Sequence, residues 1–230
     1  MDNHVDFLTK KGQIMKKLIS FGMGLVSVLA VEAANASDIK LFVGGNIALN
    51  SVSWDEKVEK HFKDGNLKLP ENFFGLGAEA GARLKTNGIY NPGITLAYDY
   101  AFDSAADIKY PAKAIISSLD VGFSAISGTF DNYIRFSGKS ARRSDIVLGI
   151  GLANVTERAD IRYTPAGHFI GYTDRKGDDN GTFVVLKVGF NFEITDHVDF
   201  YANGRWFAPT KSNGDLDALF NLNAGIRYVF

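Results

Sequence analysis

The sequence predicts an all-β chain folded as an eight-stranded antiparallel up-and-down transmembrane β-barrel. Three observations carry this reading. Eight segments alternate apolar and polar or small residues with the period of two that a strand imposes. The connections between them alternate long and short. An export leader precedes the first segment.

The leader begins at Met15. Lys16 and Lys17 form a basic head, an apolar stretch runs from Leu18 to Val31, and Ala34-Asn35-Ala36 supplies the small-x-small cleavage pattern. That stretch is short for a spanning helix, which needs about 20 apolar residues. Residues 15–36 are therefore read as a signal peptide cleaved between Ala36 and Ser37. Residues 1–14 are read as a spurious or disordered N-terminal extension, with Met15 the true start. Residues 37–230 remain as the barrel.

The strands follow in order. The first, Ile39 to Trp54, sets Leu41, Val43, Ile47 and Leu49 on one face. The second, 73–84, presents Phe74, Leu76, Ala78, Ala80, Ala82 and Leu84 outward, and the third, 93–102, presents Ile94, Leu96, Tyr98, Tyr100 and Phe102. The fourth lies within 115–136, and its phase slips near Ala125 and Ile126, which reads as a bulge or a misplaced boundary. The fifth starts near Asp145, with Ile146, Leu148, Ile150 and Leu152 outward. The sixth, 182–194, carries Val184, Leu186, Val188, Phe190, Phe192 and Ile194; the seventh is 198–208. The last is the terminal run, whose outward set is Phe220, Leu222, Ala224, Ile226, Tyr228 and Phe230. A run of this kind with no polar tail is expected to pair with the first strand, leaving Tyr228 and Phe230 at the lipid–water border.

The stretches 55–72 and 164–181 are long and charged, 103–113 is intermediate, and 210–217 is moderate. The stretch 85–92 carries an Asn-Gly turn signal, 137–144 is short, and 195–197 is very tight. Short turns at one end and longer loops at the other are the outer-membrane pattern. Both chain ends then fall on the periplasmic side.

Composition agrees. Eighteen Phe, nine Tyr and 24 Gly against five Pro suit many closely packed strands. The net charge of -1 leaves no basic footprint for nucleic acid. The absence of Cys excludes disulfides and thiolate metal sites. No apolar run after the leader approaches the length of a spanning helix, which excludes a helical membrane protein but not a barrel, since its lipid-facing residues are only every second one.

The faces opposite the apolar ones place Glu79, Arg83, Asp99, Asp120, Lys187, Glu193, Asp199, Arg205 and Arg227 inward. An eight-stranded barrel has room only for its own side chains, so these charges must pair. A soluble sandwich would also carry charge on its strands. It does not explain an apolar face on every strand together with an export signal.

The leader, the eight alternating strands and the closing "GIRYVF" resemble the small outer-membrane β-barrel proteins of Gram-negative bacteria, the porin-like and opacity-type eight-stranded family. The resemblance covers 37–230 and is one of pattern. It implies that the terminal strand is read by the barrel-assembly machinery.

Candidate chemistry is thin. Some barrels of this size trim lipid A with His, Ser and an acid near the rim. His4 precedes the leader, His61 sits in a charged stretch, His197 sits in a tight turn, and His168 lacks a Ser two positions on. No base–nucleophile pair can be named. "GLGAEAG" (75–81) misses the spacing of a nucleotide-binding loop and lies inside a strand. "DRKGDDNG" (174–181) has Lys176 where a calcium loop needs an acid, and no Glu follows at the required distance.

No catalytic, cofactor-binding or metal-binding residue is assigned, and the chain is read as a non-enzyme without cofactors. Its expected role is structural or surface-interacting, through extracellular loops on a side-chain-filled barrel; the alternative is a narrow porin passing small solutes. The expected partners are outer-membrane lipids and lipopolysaccharide, the barrel-assembly machinery, and an extracellular ligand of unknown identity. Nucleic acid is not among them, and the barrel is expected to be a monomer.

Overall fold

A computed structural model describes residues 39–64, 67–86, 88–108, 115–137, 142–210 and 216–230. The leader, the 1–14 extension and its junction at Ser37 lie outside these residues. The elements are β1 (Ile39–Trp54), α1 (Glu56–Asp64), β2 (Leu67–Lys68), β3 (Asn72–Leu84), β4 (Tyr90–Ala105), β5 (Asp107–Ile108), β6 (Ile116–Arg135), β7 (Ser144–Tyr163), α2 (Pro165–Phe169), β8 (Arg175–Thr195), β9 (Val198–Pro209) and β10 (Leu216–Val229).

Eight of the strands close a ring in the order β1, β10, β9, β8, β7, β6, β4, β3, with every neighbour antiparallel. Closure leaves no strand edge to be satisfied by lipid, which offers no hydrogen bonds. The closing seam sets Phe42 opposite Val229 and Val52 opposite Leu219. Phe230 lies one residue past β10, but its N–H still donates to the Leu41 carbonyl at 2.9 Å. β2 and β5 form a separate two-stranded patch.

The outward faces are those the alternation predicts. Ile47, Leu96, Phe130, Ile150, Leu152, Val188, Leu222 and Ile226 are all exposed and form an apolar belt. Its tight-turn border carries Tyr90, Phe136, Phe192, Tyr228 and Phe230, and its opposite border carries Phe74, Phe102, Trp206 and Phe220. Such aromatic girdles mark the two edges of hydrocarbon. The Tyr228 and Phe230 rings meet edge to face with centroids 5.1 Å apart.

Three sequence expectations need correction. β6 has no bulge at Ala125 and Ile126: its register with β7 runs unbroken from Ser118 to Arg135. What changes there is which face is apolar. Leu119, Val121, Phe123 and Ala125 point inward and are buried, whereas further along Ile126 and Phe130 point outward. Asp120 therefore lies on the outward face, partly exposed, and not inside. Finally, residues 175–181 are strand and not loop, because Arg175 to Gly181 pair with Ile161 to Val155. The β7–β8 hairpin stands above the belt, and its true connection is only 164–174.

Candidate functional site

The lumen is blocked by its own side chains, in two chemically distinct halves. The half nearer the tight turns is polar. Arg205 donates from Nη1 to Asp99 at 2.6 Å and from Nη2 to Glu79 at 3.4 Å. Arg227 donates from Nε to the other oxygen of Glu79 and from Nη1 to Asn191 at 3.1 Å, and it stacks over the Tyr201 ring at 4.1 Å. Lys187 and Thr95 both donate to Oδ2 of Asp131, at 2.8 and 2.5 Å. Nearer the turns, Arg143 grips Asp145 with Nε at 2.7 and 2.9 Å, and Arg83 bridges Asp145 and Asp199 at 3.6 and 3.4 Å. Each of these charges is almost fully buried, and each has an opposite partner, as desolvation demands.

The backbone makes room for this network. A Cβ at Gly77 would lie 2.6 Å from Oδ1 of Asn46 and 2.7 Å from that of Asp99. The glycines of 75–81 thus serve packing inside β3. Above the charges lies a layer of amides: Asn46 donates to the Tyr201 hydroxyl at 3.0 Å, and Asn221 to Asn50 at 2.7 Å.

The other half of the lumen is apolar. Phe73, Leu119, Phe123, Val155, Val185 and Phe207 are buried in one cluster. The Phe73 and Phe123 rings meet edge to face, 5.3 Å apart. Val58 and Phe62, one turn apart on α1, pack onto its upper surface, so the amphipathic α1 roofs the barrel.

The long-connection end also presents an apolar tip. Thr164 caps α2 by accepting from the Gly167 N–H at 3.2 Å, Pro165 starts the helix, and Gly171 ends the turn at φ 97°. Tyr163 and Tyr172 stack 5.0 Å apart beside it. On this fixed platform Phe169 is 92% exposed and Ile170 60%. Isolated apolar residues on a surface are ordinary; these two stand side by side on a braced turn.

Of the inward charges expected from the sequence, Glu79, Arg83, Asp99, Lys187, Asp199, Arg205 and Arg227 meet in the polar half, while Glu193 is inward but only half-buried near the turns. Sequence reasoning missed Asp131, Arg143 and Asp145. Asp131 sits in phase with Thr129 and Tyr133, a signal hidden by the apparent slip in β6. His61 lies on α1, His197 stacks on Tyr228, and His168 is engaged locally, with Nδ1 placed to donate to the Tyr172 carbonyl at 3.0 Å and Nε2 3.4 Å from Asp174. The three are on separate elements. Among the described residues no group of three or more His, Asp or Glu is placed to hold a metal.

The sequence matches no protein-family model and no curated protein. Solved structures do match in fold. The attachment invasion locus protein Ail of Yersinia pestis has a TM-score of 0.52 at 13% identity, covering 84% of this chain and 99% of its own. The same figures hold for Ail in complex with the heparin analogue sucrose octasulfate. The outer-membrane protein OprG of Pseudomonas aeruginosa is similar at a TM-score of 0.49 and 11% identity, covering 84% of this chain and 96% of its own. Identity at this level speaks for fold alone, and the apolar belt with its two girdles independently requires hydrocarbon around the ring. The chain therefore has the fold of the small Gram-negative outer-membrane β-barrels, with its lumen filled by side chains.

Proposed function

We propose that the protein is a closed structural barrel of the outer membrane that uses its long-connection end for contacts outside the cell. The observation that carries this reading is the doubly blocked lumen: paired charges fill one half and an apolar cluster fills the other. A barrel of eight strands has no spare width beyond its side chains. The tight turns and the Ile39 and Phe230 ends then face the periplasm, with α1 and the β7–β8 hairpin outside.

Residues 15–36 act as the leader and 37–230 as the mature barrel, so mass spectrometry of outer-membrane material should find Ser37 first. Lipid and lipopolysaccharide surround the belt, and the assembly machinery reads β10. The contact surface is the Phe169–Ile170 tip together with the outer face of α1. On α1, Glu56, Glu59 and Asp64 are interleaved with Lys57, Lys60 and Lys63, so a polyanion would meet as many repulsions as attractions there.

Conductance of the refolded protein in planar bilayers tests the reading. The expected result is a silent bilayer. Discrete, reproducible current steps would favour the narrow porin instead.

A further inference from the structure

We propose that the outer mouth of the barrel holds a binding site for a small, neutral, apolar molecule the size of two fused aromatic rings, a function separate from contact through the loop tip. A cavity of about 240 Å³ lies between α1 and the β7–β8 hairpin. Trp54, Val58 and Phe62 cover it, and Leu119 and Val121, part of the apolar cluster, form its floor.

The strand register makes the hollow. Val121 on β6 stands opposite Ala159 on β7, and Ala159 stands opposite Gly177 on β8. Side-chain size falls to nothing along that row, whereas in the next row Leu119 faces Ile161. A Cβ at Gly177 would meet nothing within 4 Å, so the recess runs to the β8 backbone. A dry apolar cavity of roughly 150 Å³ takes benzene. The larger volume here suits two fused rings and is too small for four.

The walls set the charge of the ligand. Their apolar side chains offer no hydrogen bond, and the Trp54 indole N–H already donates to the Pro70 carbonyl at 2.9 Å. The polar groups at the rim are engaged as well. Asp179 Oδ1 accepts from the Asn180 N–H at 2.8 Å, and Glu157 has an interaction of its own. Arg158 and Asp178 stand opposite each other across the β7–β8 ladder, on the face pointing away from the cavity, and Arg158 Nη2 donates to the Ala101 carbonyl at 2.9 Å. A charged ligand of either sign would give up its hydration here without a counter-charge set aside for it. A neutral apolar one gains by leaving water.

The test uses the full barrel in phosphatidylcholine nanodiscs, with naphthalene, pyrene, 2-naphthylmethylamine and 2-naphthoate as probes. The readouts are the resonances of the two indole N–H groups, told apart by Trp206→Phe. Trp206 faces the belt and reports probe dissolved in lipid, whereas Trp54 reports the cavity. Naphthalene should shift the Trp54 resonance saturably, while Trp206 responds in proportion to the dose. Pyrene should move Trp206 alone. The amine and naphthoate, both charged at neutral pH, should bind the cavity roughly tenfold more weakly than naphthalene. Gly177→Leu fills the recess from β8 and Ala159→Leu fills it from β7. Each should abolish the Trp54 shift and leave that of Trp206. The proposal is overturned if Trp54 follows Trp206 without saturation, if both filling variants bind naphthalene as wild type does, or if pyrene or either charged probe matches naphthalene at Trp54.

Discussion

The two halves of the lumen do the same job with opposite chemistry. Near the tight turns, Arg205, Arg227 and Lys187 are held by Glu79, Asp99 and Asp131; toward the mouth, Phe73, Phe123 and Phe207 fill the same cross-section with no charge at all. The polar half gives direction, because each cationic side chain has a specific carboxylate partner. The apolar half gives only volume. A filled barrel can therefore be specified at one end by pairing and at the other by packing, and the two ends should fail differently when altered.

The largest expected effect is in the polar half. Glu79→Ala leaves two buried guanidiniums short of their shared carboxylate and should cost about 3–5 kcal/mol, read by reversible urea unfolding in lipid vesicles. Replacing the Lys187–Asp131 pair together, as Lys187→Met with Asp131→Leu, should cost less than either change alone. If the double change proves the worst of the three, pairing is not what organises this half.

In the apolar half, Phe123→Ala should cost about 3–4 kcal/mol by loss of packing, and Phe123→Leu much less. Equal losses for the two would mean that this half also depends on specific geometry. On the belt, Leu148, Leu186 and Leu222 all face outward, and Arg at any of them should cost about 2–4 kcal/mol near mid-membrane. The smallest effect belongs to the tip. Phe169→Ala should change stability by less than about 0.5 kcal/mol in the same unfolding measurement. A tip substitution that lowers stability as much as Phe123→Ala would place Phe169 in a packed environment it does not have here.

Most of the ring was legible in the sequence because lipid outside and polar groups inside force a strict two-residue rhythm. The alternation from Ile94 to Phe102 and from Phe220 to Tyr228 reads off directly for that reason. The rhythm failed where the lumen itself turns apolar. At Leu119, Val121 and Phe123 the inward residues are as apolar as the outward ones elsewhere, so a constant backbone phase looked like a slip, and Asp120 was assigned to the wrong side. The upper hairpin was hidden for another reason. Arg175 to Gly181 have poor strand composition, and only their pairing with Val155 to Ile161 makes them strand. The roof was hidden too, since Val58 and Phe62 are two apolar residues in a charged stretch and matter only once the cluster beneath them exists.

The seam between β1 and β10 has a consequence for how the barrel is made. Every other ladder in the ring joins barrel strands that follow one another along the chain, but here Phe42 meets Val229. Contacts so far apart in sequence are slow to form, because the entropy of closing the whole loop comes before any reward. Until then an eight-stranded sheet carries two long open edges, which are templates for pairing with another chain. The late step is thus also the hazardous one. Small residues along the seam, Gly44 and Gly45 facing Arg227 and Ile226, and Gly225 facing Asn46, let the two edges approach without first clearing bulky side chains from both sides.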